Sequence, residues 1–146
     1  GVVHRSRDIL AGESWHGGPL VLSLADVDVS GQADGFNVVL HEFAHKLDML
    51  NGDANGFPPL HRGMDSAVWA RDFAAAYDDL CARVDAGEDT PIDPYATYDP
   101  AEFFAVLTEA FFETPHVVHA EYPAVYGQLR LFYRQHPLGR LDAVHA

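Results

Sequence analysis

The chain has 146 residues, 48% of them hydrophobic, which suits one ordinary globular domain with a core of its own. Acidic residues outnumber Lys plus Arg by 22 to 9, giving a formal net charge of -13, and no run of Lys or Arg interrupts the pattern. A duplex or an anionic membrane surface is therefore excluded as a partner, and the acidity itself reads as solubility.

Cys81 is the only cysteine, so an intrachain disulfide and a Cys-based zinc finger are both ruled out, and a reducing compartment fits. The longest apolar stretches, Phe103–Leu107 and Val38–Leu40, are far too short to span a bilayer. The opening GVVHRSRDIL lacks the long apolar core of a signal peptide. It starts abruptly on apolar residues, and the expectation is a single domain over 1–146 that is a fragment lacking an N-terminal segment.

In chain order, Pro19–Leu24 alternates apolar and small polar residues between Gly17-Gly18 and Asp26, and reads as an edge strand, with Val2-Val3 a second strand candidate. Ser30–Gly35 reads as a loop. Asn37 is a good N-cap and Gly52 a good stop for a helix whose Val38, Leu40, Phe43, Ala44, Leu47 and Leu50 cover much of its circumference. A helix that apolar is expected to be buried. Gly52–Gly63 has the composition of a long surface loop. Asp65 or Ser66 caps a second helix to about Arg83, striped by Trp69, Phe73, Ala76, Tyr77 and Leu80. Asp85–Pro100 is loop again. The third helix has Asp99 as its cap, Pro100 first and Glu102 third, and ends at about Glu113 before Pro115. A last helix is expected over Tyr122–Gln135, stopped by Pro137. The fold class is α+β, mostly helical with a small N-terminal sheet.

His41-Glu42-Phe43-Ala44-His45 is an HExxH motif. Residues four apart on a helix stand one turn above each other, so both imidazoles can grip one Zn²⁺. Glu42, beside the first ligand, can take a proton from the water that the ion acidifies. The motif lies in a strongly apolar helix, where two histidines and a glutamate would be costly to bury without partners. A zinc peptidase needs a third protein ligand. The metzincin continuation fails, because Asp48 stands in place of the Gly and Asn51 in place of the third His. Asp48, Glu102 and Glu109 remain: the first follows His41 and His45 on one helical face and suits an imidazole-orienting role, and the other two share a face of the later helix. Glu102 also completes a capping box with Asp99.

At these residues the chain resembles the Mlc titration factor A family of bacterial zinc peptidases. The matching stretches are Gly12–Trp15 (GESW), Pro19–Ser23 (PLVLS), Asn37–Gly56 with its HEFAHKLDM block, and Asp93–Pro115. The resemblance covers nearly the whole chain and implies a zincin-like fold. The family looks related to the catalytic domain of anthrax lethal factor, and this implies Glu102, in the AEFF of Ala101–Phe104, as the third ligand in preference to Glu109. It also implies Tyr95, seven residues earlier, as a donor to the oxyanion, and His4 as an extra ligand in a self-inhibited resting form. The other histidines, His16, His61, His116, His119, His136 and His145, read as surface. The resemblance further implies one Zn²⁺, a peptide substrate, a cytoplasmic aminopeptidase for short peptides, and association with the transcriptional repressor Mlc, which regulates glucose uptake; nothing in the sequence suggests an obligate interface, so a monomer is expected. The alternative is a regulatory module that sequesters a transcription factor and uses zinc only for structure. Glu42 argues against it, since a structural site needs no base beside the metal.

Overall fold

The computed structural model describes residues 33–139, with side chains from Val38 onward. Over residues 33–133 the chain forms five α-helices joined by loops and two 3₁₀ turns: α1 (Ala33–Asp48), α2 (Ser66–Asp85), α3 (Pro100–Glu113), α4 (Pro115–Glu121) and α5 (Pro123–Tyr133); residues 137–139 are again helical. No strand occurs among the described residues. The strand readings at Val2-Val3 and Pro19–Leu24 fall outside the described residues.

Helix α1 begins at Ala33, so the chain is already helical across Gly35 and the expected cap Asn37. A glycine in a helix costs about 1 kcal/mol relative to alanine but removes no hydrogen bond, so a local cap signal does not have to end the helix. Leu40, Phe43, Ala44 and Leu47, spaced one turn apart, are buried, whereas Val38 is 65% exposed, so the burial expected all round the helix holds for one face only. Met49–Asn51 continues as a 3₁₀ turn, and Gly52 ends it at φ 135°.

The loop that follows is held by Asp48. This carboxylate is fully buried and accepts from the backbone N–H of Gly56 at 2.7 Å and of Phe57 at 3.2 Å. The Trp69 indole donates to the Gly56 carbonyl at 3.2 Å from α2. Asp65 caps α2 by accepting from the amides of Ala67 and Val68, as its sequence position predicts. Trp69 and Phe73 stack 4.2 Å apart in the core with Phe104 of α3 beside them.

Helix α3 is the centre of the fold. It starts at Pro100 with Asp99 accepting from the Glu102 amide at 2.8 Å, and it packs along α1. Phe103, Phe104, Leu107 and Phe111 are all buried along it. The expected last helix, Tyr122–Gln135, is present as α5 (Pro123–Tyr133), and a short helix that was not expected, α4 (Pro115–Glu121), precedes it; each opens on a proline. Pro115 and Pro123 both sit at first helical positions, where the missing N–H has no partner to lose. Tyr122, at φ -139° and ψ 72°, is the break between them, because Pro123 cannot continue the hydrogen bonding of α4.

Candidate metal centre

His41 and His45 project from one face of α1, one turn apart, toward the start of α3. Asp99 fixes that start, and the third residue of α3, Glu102, therefore meets both imidazoles. Its Oε1 lies 2.8 Å from His41 Nε2 and 3.0 Å from His45 Nε2, and the two Nε2 atoms are 3.2 Å apart. Instead of reaching back to complete the capping box, the Glu102 side chain faces the histidines. Its other oxygen accepts from the Tyr95 hydroxyl at 3.2 Å. Tyr95 comes from a 3₁₀ turn, Pro94–Thr97, which Asp93 caps by accepting from the Tyr95 amide. The Tyr95 ring is 50% exposed, stands 6.2 Å from that of His41 and stacks on Tyr98.

Glu109, two turns further along α3, faces the opposite nitrogen of His41, with Oε2 3.3 Å from Nδ1. The two glutamates thus divide His41 between them. This matches the carboxylate–histidine pairing that fixes a metal-binding imidazole's tautomer and orientation. Asp48 does not orient an imidazole by hydrogen bonding. Its oxygens bind the amides of Gly56 and Phe57, because α1 ends there and the loop folds back over its last turn. Glu42 is exposed on α1 and stands outside the cluster. His4 lies outside the described residues, as do His16 and His145.

The electrostatics follow from crowding these groups together. Burial works to lower the His41 pKa, but its hydrogen bonds with Glu109 and Glu102 outweigh it, and the value is raised above the ordinary imidazole range. Glu102 moves the other way: burial opposes its charge, yet the hydrogen bonds with both histidines hold its pKa below the usual value. Glu109 is raised, chiefly by burial. The cluster favours a cation in its midst.

The donor set fits a metal ion. Tetrahedral zinc with bonds of 2.0–2.1 Å separates its ligand atoms by about 3.3 Å, close to the triangle of 2.8, 3.0 and 3.2 Å seen here. His45 Nδ1, the ring nitrogen outside this triangle, is buried without a partner among the described residues. His41, His45 and Glu102 form the cluster of metal-ligand type found among the described residues.

Sequence spacing left Glu102 and Glu109 on one helical face, and only the packing of α3 on α1 separates them. Gly56 went unnoticed at the sequence level. It sits at φ 81°, and a Cβ there would come within 2.5 Å of the Pro100 carbonyl oxygen, so only glycine lets the loop lie against the start of α3. The loop that Asp48 holds is thus in close contact with the helix start that carries Glu102. His61 and His136 are likewise more than surface groups: His61 donates to the Phe132 carbonyl at 2.6 Å, and His136 bonds the Tyr126 hydroxyl at 2.8 Å.

Among known proteins, the chain is 45% identical over 144 residues to Mlc titration factor A of Yersinia pestis (strain Pestoides F), covering 97% of this chain and 53% of that protein. The same identity and coverage hold for Mlc titration factor A of Yersinia pseudotuberculosis serotype O:1b (strain IP 31758). The chain therefore spans about half the length of these curated relatives. Residues 1–134 match the family described as glucose-regulated metallo-peptidase M90. With a match of that extent and relatives that similar, the chain belongs to the glucose-regulated metallo-peptidase M90 family.

Proposed function

We propose that the chain carries the catalytic centre of a zinc peptidase, an aminopeptidase acting on short peptides in the cytoplasm. The main support is the convergence of His41 Nε2, His45 Nε2 and Glu102 Oε1 within 3.2 Å of one another, with Glu42 exposed beside them and not engaged in the cluster. Those three atoms would hold Zn²⁺, which when bound acidifies a water to a pKa of about 7 and polarises a carbonyl. Glu42 is the general base: it removes the proton of the attacking water and passes it to the leaving amine. Glu109, on His41 Nδ1, keeps the Nε2 lone pair aimed at the cluster. The Tyr95 hydroxyl, now donating to Glu102, turns to donate to the oxyanion that develops on the scissile carbonyl.

The name of the relatives contains the word Mlc, and we carry the association with that repressor over to this chain. It uses a surface other than the catalytic groups, so capture of the repressor should survive Glu42→Gln. The enzymatic reading is tested with a fluorogenic peptide panel bearing free or blocked N-termini. Zinc-dependent cleavage of the free peptides, abolished in Glu42→Gln, is the expected result. A folded, zinc-loaded chain that cleaves none of them would instead support the binding-module reading.

A further inference from the structure

Lys46, Arg62, Arg71, Arg83, Arg130 and Arg134 are the Lys and Arg residues among positions 38–139. Arg71 pairs with Asp72, and Arg83 pairs with Asp79, Glu88 and Glu121. Arg62 and Arg130 instead line one cavity of 520 Å³, which Arg134, His61 and His136 also border and to which no Asp or Glu among the described residues contributes. In a chain of net charge -13, that is a marked segregation of positive charge.

The convergence is built by the fold. Arg62 belongs to the loop before α2, whereas Arg130 and Arg134 belong to the end of α5. The His61 bond to the Phe132 carbonyl ties the two segments together, and the His61 and Phe132 rings lie 5.8 Å apart. That carbonyl is one of the last four of α5, which a helix leaves without an internal partner, so capping explains His61. The helix dipole likewise explains a cation such as Arg130 in the last turn. Neither explains why a loop from another part of the chain delivers a further arginine to the same cavity, where like charges repel. The Tyr126 hydroxyl accepts from the Leu138 amide at 3.2 Å and shares a 2.8 Å hydrogen bond with His136 Nδ1, which anchors that imidazole at the cavity.

We propose that this cavity binds a small organic phosphate, a phosphomonoester dianion gripped by the guanidinium forks of Arg62 and Arg130, with His136 at its rim. Planar guanidinium groups match phosphate oxygens bidentately. The volume lies within the roughly 300–1,000 Å³ of small-molecule sites. It exceeds what a lone phosphate ion fills, and Met64 and the 56% exposed Leu131 offer apolar contact to the organic part. The site shares no residue with the His41–His45–Glu102 cluster and stands whether or not that cluster is catalytic.

Calorimetric titration of the intact chain with phenyl phosphate, inorganic phosphate and benzyl alcohol tests the site, at a pH above the second phosphate pKa of about 6. Phenyl phosphate should bind at one site and inorganic phosphate more weakly, with benzyl alcohol not binding. Arg62→Gln and Arg130→Gln should each weaken phenyl phosphate roughly tenfold while melting temperature and zinc content stay at wild-type values. Inorganic phosphate binding as tightly as the ester would overturn the organic assignment. The site itself is overturned by no saturable binding up to about 10 mM, well past a millimolar Kd, or by undiminished binding in both variants. Binding of an acidic peptide but not of phenyl phosphate would overturn it in favour of a protein-docking face.

Discussion

Two side chains at the centre have distinct failures. Glu42 touches none of the clustered atoms, so Glu42→Gln should leave zinc bound and the melting temperature unchanged while lowering kcat by about two to four orders of magnitude. Metal analysis beside steady-state kinetics separates the two effects. His41 makes the metal-stripped protein respond to pH. Its folded pKa is raised by Glu109 and Glu102, against the opposing effect of burial, so its contribution to stability is fully present below the unfolded value of about 6.5. That contribution is lost as pH rises through the higher folded value. Zinc binding needs the neutral imidazole, so the loaded protein should show the opposite trend over the same window. Melting curves with and without chelator across that range check both signs; parallel curves would deny the coupling of His41 to its two carboxylates.

Helix ends and the loop between α1 and α2 set the geometry that these residues need. Where the start signal is local, the sequence was readable: Asp65 caps α2, and Asp99 with Pro100 opens α3, because a cap depends on residues within one turn. The early start of α1 and the presence of α4 were not readable. In the first, a local cap signal at Asn37 falls inside a longer helix, and the second is a helix of only seven residues between Pro115 and Pro123. The Asp48–Gly56–Pro100 contact also escaped the sequence, since it joins residues far apart in the chain. Its effect is concrete. Gly56→Ala forces a side chain into a left-handed backbone and against the Pro100 carbonyl, at a cost of about 1–3 kcal/mol. It should also displace Glu102 from the histidines. A drop in zinc affinity beyond that of an equally destabilising core variant, such as Leu80→Ala, identifies the positioning effect; equal affinity in the two variants would leave Gly56 a purely structural role.

At the scale of the molecule, α1 and α3 are the two arms of one clamp, joined on one side by the apolar core and on the other by the clustered ligand atoms. A metal bound only by the folded clamp stabilises it by mass action, about 2.7 kcal/mol at a hundred times the dissociation constant. Chelation should therefore lower the melting temperature, and zinc should restore it in a concentration-dependent way. The HExxH motif made half of this clamp legible, because both histidines lie within one turn of helix. For the other half, helical spacing left two glutamates on one face and the family resemblance implied Glu102, the one that the packing of α3 on α1 brings to both imidazoles.

The most direct test is zinc stoichiometry and affinity, by competition with a chelating dye, in the wild type and in His45→Ala, Glu102→Ala and Glu109→Ala. One equivalent of zinc in the wild type is expected, with binding lost in the first two variants and weakened about 10- to 100-fold in the third. Wild-type affinity in Glu102→Ala, with loss in Glu109→Ala, would contradict the assignment and move the third ligand two turns along α3.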